Sequence, residues 1–151
     1  MEHTHILDNT GDPVFTIGVV SKIINISPET LRLYEREGLL IAYRTKTCRR
    51  MYSQDDIEWI SCIRHQIKDK RLNISGVRHL LALLPCWEIN RCGSDKHADC
   101  IAFLNSDKVC WQLDKKPCRL KKTDCYTCPV YRMAPKIENL KTEFNISLKN
   151  D

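Results

Sequence analysis

The sequence predicts a mainly α protein: a winged helix-turn-helix with a small β-hairpin wing, followed by a cysteine-rich metal-binding module. Three observations predict it. Two short capped helical segments are separated only by "NIS". A basic run with apolar ends, "LLIAYRTKTCRRMYS", follows them. Seven of the nine cysteines then crowd between Cys86 and Cys128.

The first helical segment lies in "FTIGVVSKII". Thr16 stands at the N-cap, with Phe15 and Val20 spaced for a hydrophobic staple. The second, in "ISPETLRLYEREGLL", is marked more strongly. Ser27 is an N-cap, Pro28 occupies the first helical position, Glu29 follows in the first turn, and Gly38 closes the helix. Leu31 and Tyr34 point inward, while Arg32 and Arg36 share another face. The polar middle of the next run fits a hairpin. Ser53 caps a further helix, "QDDIEWISCIRHQIKDK", with Ile57, Ile60, Arg64 and Ile67 along one side and Trp59 and Ile63 at its margin. Val77, Leu80, Leu81 and Leu84 follow helical spacing in a last helix closed by Pro85.

The expected organisation is a flexible tail over 1–13, a DNA-binding block over 14–85, the cysteine module over 86–131, and a polar tail or short helix over 132–151. The chain carries a formal net charge of +5, mildly suited to a polyanion. The N-terminus has no basic start followed by an apolar run, and "HLLALLP" is too short to span a bilayer. These features point to the cytoplasm and away from a membrane. Thiols stay reduced there, so a cysteine cluster favours metal or redox chemistry over a disulfide framework. His3 and His5 read as part of a solvated tail, and His97 as an exposed side chain.

Between Phe15 and Tyr52 stand Lys22, Arg32, Arg36, Arg44, Lys46, Arg49 and Arg50 against Glu29, Glu35 and Glu37, a local balance of +4. On a capped helix-turn-helix with a basic hairpin, that charge suits a helix in the major groove and a wing on the neighbouring backbone.

The order "TIG", "SPETLRLYEREGLL", "RRMYS", "DDI" resembles the MerR family of bacterial transcription regulators over residues 15 to about 84. "TLRLYEREGLL" and "LNISGVRHLL" look closer to its heat-shock and nitrogen-metabolism repressors than to its mercury sensors. The resemblance implies double-stranded promoter DNA as partner, a homodimer on pseudo-palindromic sites, and RNA polymerase as a further possible partner. It implies DNA contacts by Arg32, Arg50 and Tyr52. Helix and wing geometry adds Thr30, Arg36, Arg44 and Arg49. A long pairing helix is missing after Pro85, where the cysteines begin at once, so the mode of dimerisation stays open.

The cysteine block places Cys86, Cys92, Cys100, Cys110, Cys118, Cys125 and Cys128 as candidate ligands. It looks doubled, since both Cys86-Trp87 and Cys110-Trp111 begin "CW", and it resembles cysteine modules of some bacterial sensory proteins. Thiolates bind soft metals, and four satisfy an iron–sulfur cluster or tetrahedral Zn2+. Cys125 and Cys128, two residues apart, form the closest pair. With one such pair rather than two, the spacing leans to an iron–sulfur cluster, with structural Zn2+ as the alternative. The tryptophans are expected to cover the site. A thiol–disulfide enzyme built on "CYTC" lacks the βαβ surroundings such chemistry uses.

Overall fold

The structure, a computed structural model, describes residues 9–90, 100–105, 107–113, 125–139 and 142. Strand β1 (Phe15–Thr16) leads into α1 (Ile17–Ile24) and α2 (Pro28–Arg36). Strands β2 (Tyr43–Arg44) and β3 (Arg50–Tyr52) follow, then α3 (Gln54–Lys68) and α4 (Ile74–Ala82). Beyond these lie α5 (Cys86–Ile89), α6 (Ile101–Leu104) and α7 (Pro129–Arg132), with 3₁₀ turns at Cys110–Gln112, Cys125–Thr127 and Ala134–Asn139.

The turn between α1 and α2 is built locally. Asn25 adopts the left-handed conformation at φ 57°, the Ile26 amide returns to Ser21 O at 3.1 Å, and Ser21 Oγ donates to Ile26 O at 2.6 Å. The Arg64 guanidinium donates to Ile24 O, placing a cation on the C-terminal end of α1. Thr16 does stand at the N-cap of α1, but its side chain makes no capping hydrogen bond; its backbone pairs with β3. The sheet therefore has three antiparallel strands in the order β1-β3-β2, one more than the hairpin expected.

Ser27 caps α2 as expected, accepting from the Thr30 amide at 3.1 Å. Gly38 ends the turn after α2 at φ 80°, a conformation that an L side chain rarely adopts. A full capping box opens α3: Asp56 N donates to Ser53 Oγ at 3.1 Å and Ser53 N to Asp56 Oδ2 at 2.8 Å. The buried stripe of α3 differs from the expected one. Ile57, Trp59, Ile60, Ile63 and Gln66 are buried, so Trp59 and Ile63 are core rather than margin, and Arg64 is only half-buried. The α3 face is wider because it is covered on a second side, by residues 125–139.

That covering is the main departure from the expected organisation. Leu31, Leu39, Ile60, Val77 and Leu81 share one continuous core with Val109, Tyr126, Val130, Tyr131, Ala134 and Ile137. Residue 85 is thus a helix boundary but not a packing boundary. Ala134 and Ile137, expected in a polar tail or short helix, are buried in a 3₁₀ turn against α3 and α4.

Candidate nucleic-acid interface

The outer face of α2 carries Glu29, Arg32 and Arg36, all exposed and spaced three and four residues apart. Beside it, Tyr43, Arg44, Lys46, Thr47, Cys48 and Arg49 are exposed along the wing. The wing turn closes through Cys48 N to Thr45 O at 2.8 Å and Thr45 N to Arg49 O at 3.0 Å, with Cys48 at φ 61°.

The basic side chains fall into two sets. Arg36, Arg49, Lys22 and Lys46 make no side-chain ion pair among the described residues. The others are already paired. Arg32 Nη1 lies 2.6 Å from Glu29 Oε1 in an exposed pair. Such a pair contributes only about 0.3 kcal/mol, so exchange for a phosphate costs little. Glu35 does more. Its Oε1 accepts from Arg44 Nη2 and its Oε2 from Arg50 Nε, each at 2.5 Å. One carboxylate on α2 therefore fastens both wing strands and fixes the wing beside the helix. Glu37 turns elsewhere, to Arg78 at 2.9 Å.

One of the expected DNA contacts, Tyr52, lies in the core, and another, Thr30, also bonds within the helix cap. Tyr52 is fully buried, so it is a core residue and presents nothing to a duplex. It lies two residues from Arg50, on the same face of β3, and that face turns inward: Arg50 reaches Glu35 and Tyr52 passes beneath. Its hydroxyl finds no hydrogen-bond partner among the described residues, and burial, then Glu35, pushes its pKa up to about 12. Thr30 is half-buried, with Oγ1 2.9 Å from Ser27 Oγ, so its hydroxyl is engaged in the helix cap. Arg32, Arg36, Arg44, Arg49 and Arg50 remain on or beside the exposed face.

The connector between α2 and the wing, residues 38–42, is held from behind by three aromatic side chains. Trp111 Nε1 donates to Gly38 O at 2.8 Å, Trp59 Nε1 donates to Leu39 O at 2.8 Å, and Tyr131 OH accepts from Ile41 N at 2.9 Å. Asp56 anchors the same C-terminal segment. Besides Ser53 N, its carboxylate accepts from Tyr126 OH at 2.6 Å and Arg132 Nη1 at 3.1 Å. The Arg132 guanidinium also lies over the Tyr126 ring, 4.3 Å from its centroid.

Burial raises the Tyr126 hydroxyl above its ordinary 10.0, and its hydrogen bond to Asp56 adds to this; burial likewise raises Tyr131. The stability these groups contribute is complete below the ordinary tyrosine value and is lost as pH rises through the raised folded values. Melting temperature is therefore expected to hold to about pH 10 and fall above it. Tyr126→Phe should show a shallower fall. An equal slope in that variant would remove Tyr126 from the account.

The described cysteines do not gather as the spacing suggested. Cys86 opens α5, Cys100 is buried at the N-cap of α6, Cys110 starts a 3₁₀ turn, and Cys125 and Cys128 bracket the turn before α7. Among the described residues no three Cys, His, Asp or Glu side chains come together as metal ligands. They therefore do not by themselves fit a four-thiolate iron–sulfur or Zn2+ centre. Cys92, Cys118 and His97 lie outside the described residues. The two "CW" units are also not equivalent: Trp87 packs edge-on against Phe103 at 4.7 Å, while Trp111 packs against Tyr131 at 5.2 Å and grips Gly38. Cys62 is half-buried against the core, and burial, then Glu138, raises its pKa, which keeps the thiol protonated.

Glu35, Asp56 and Tyr131 are structural residues sequence reasoning missed, and Trp111, expected to cover the cysteine site, also holds Gly38 O. Only Asp56 had a local signal, as the last residue of Ser53-Gln54-Asp55-Asp56 in a capping-box pattern.

A helix-turn-helix followed by a basic, carboxylate-fastened wing defines a winged-helix domain of the DNA-binding class. Residues 15–84 match the family model described as MerR HTH family regulatory protein. The chain is 34% identical over 71 residues to the putative heat shock protein HspR of Streptomyces coelicolor, covering 47% of each chain. It is 32% identical over 76 residues to the HTH-type transcriptional regulator GlnR of Bacillus cereus, covering 50% of this chain and 58% of that one. It is 26% identical over 84 residues to the HTH-type transcriptional regulator ZntR of Escherichia coli, covering 55% and 59%. The chain spans about half the length of the curated relatives it matches.

Proposed function

We propose that this chain is a MerR-type transcription regulator of the cytoplasm that binds double-stranded promoter DNA as a dimer. The observation that carries the reading is the joint face of α2 and the wing, where exposed Arg32, Arg36 and Arg49 flank the arginines that Glu35 holds in place. In this reading α2 enters the major groove and the wing meets the adjoining backbone. Two copies related by a two-fold axis place two such faces on inverted half-sites. Among the described residues no helix is long and apolar enough to cross a membrane. The DNA face in this reading is built by α2, the wing and Glu35.

The test uses a duplex enriched by the wild-type chain from a random library. Arg36 and Arg49 have no ion pair among the described residues to replace, so both are expected to meet phosphate directly. Arg36→Ala with Arg49→Ala removes two contacts from each protomer of the dimer, and should weaken binding and lower the slope of log affinity against log salt by about four units. An unchanged slope would show that these arginines do not meet phosphate. Sedimentation of one protomer per enriched duplex would overturn the dimer.

A further inference from the structure

We propose that Trp111 and Tyr131 are positioning residues for DNA recognition: by holding the connector 38–42, they set how α2 and the wing face one duplex. This rests on the DNA-binding reading above and deepens it.

The connector is short, and its course decides where the wing stands relative to α2. Leu39, Leu40 and Ala42 are buried, so the connector is pinned inward along its length. Its polar backbone is taken at successive points. Gly38 O is held by Trp111, Leu39 O by Trp59 and Ile41 N by Tyr131. Trp59 belongs to α3, within the winged block. The other two come from far along the chain, and the Tyr131 contact spans 90 residues.

These two act as a unit. Their rings meet edge-on at 5.2 Å, and Tyr131 is only 2% exposed. The side chain of Gln112 fills the space where a Cβ on Gly38 would stand, so the same turn also closes against the end of α2. Tyr126 and Arg132 fix the segment to Asp56 at the start of α3. The wing therefore has two tethers to α2: Glu35 on the DNA side and this aromatic grip behind. If the grip loosens, the connector can shift while Glu35 still binds both arginines, and the wing pivots about that carboxylate. Trp111 directly follows Cys110, and Tyr131 lies three residues beyond Cys128. Whatever displaces those cysteines is transmitted to the DNA face through the two rings.

Coupling of this kind is reciprocal. If the grip favours the DNA-binding geometry, DNA must tighten the grip. The Ile41 amide reports this, because its proton is bonded to Tyr131 OH. The experiment compares hydrogen exchange at Ile41 in the full wild-type chain, free and bound to the enriched duplex. Exchange is expected to slow on binding, because the Ile41 amide is bonded to Tyr131 OH. Tyr131→Phe keeps its ring and loses the hydroxyl; Trp111→Phe loses the indole N–H and keeps a smaller aromatic ring. Each is expected to bind the duplex about fivefold more weakly, with Tyr131→Phe also exchanging Ile41 faster. Wild-type affinity in both folded variants would overturn the positioning role. Unchanged Ile41 exchange on DNA binding would overturn it too, and needs no variant to fold. Failure to enrich any duplex would overturn the DNA-binding reading itself, and the positioning role with it.

Discussion

Replacing Asp56 with Ala is expected to lower the free energy of unfolding by about 3 to 5 kcal/mol. The Asp56 side chain is 1% exposed and that of Arg132 is 27% exposed, so the pair is screened little by water. Removal of the carboxylate leaves the Arg132 guanidinium without its buried counter-charge. It also removes the bonds that Tyr126 OH and Ser53 N make to Asp56, each contributing about 1 kcal/mol. Asp56→Asn keeps an oxygen acceptor and should cost less. Urea unfolding followed by circular dichroism measures both. The midpoint of the Ala variant should fall with little change in slope. A loss under about 1 kcal/mol would mean that Arg132 and Tyr126 find water instead, and that the anchor is weaker than its geometry implies.

A chain ended after Leu84, where the family match stops, is expected to be less stable than the full chain by about 5 kcal/mol. The shorter chain loses the burial of Tyr126, Val130, Tyr131 and Ile137 against α3, α4 and the connector. The truncation also uncovers Leu39 and Leu40 and strands Asp56. Small domains hold about 5 to 15 kcal/mol in total, so the fragment should sit near the edge of folding. Thermal unfolding of the two chains checks this. Equal melting temperatures would show that residues 15–84 stand alone and that the C-terminal contacts are incidental.

What was legible in the sequence was local. Ser27, Pro28 and Gly38 signal the ends of α2 through bonds made within four residues, and each holds in the structure. Ser53 opens α3 for the same reason. The exposed arginines on α2 and the wing followed from helical spacing and the polar middle of the hairpin. Tyr52 was expected at DNA through the family resemblance alone, whereas Arg50 bends to Glu35 and Tyr52 lies in the core. Trp59 was placed at the margin of α3 because its covering layer arrives only with Tyr131 and the turn after α7. Asp56 meets Tyr126 across 70 residues, a distance at which no pattern of spacing carries information. The tryptophan and tyrosine contacts that tie the described part of the cysteine block to the connector and α3 had no signal in the cysteine spacing.

The 90 residues between Ile41 and Tyr131 also order events in time. A ribosome adds about 5 to 20 residues per second, so roughly 5 to 20 s pass between synthesis of the connector and synthesis of the side chain that holds it. During that interval α1, α2 and the wing can form with Glu35 already fastened, while Leu39, Leu40 and Asp56 await their cover. The nascent protein thus has a helix-turn-helix before it has a settled wing. Completion of the domain waits for almost the whole of the described chain, when a late aromatic turn closes a connector made early.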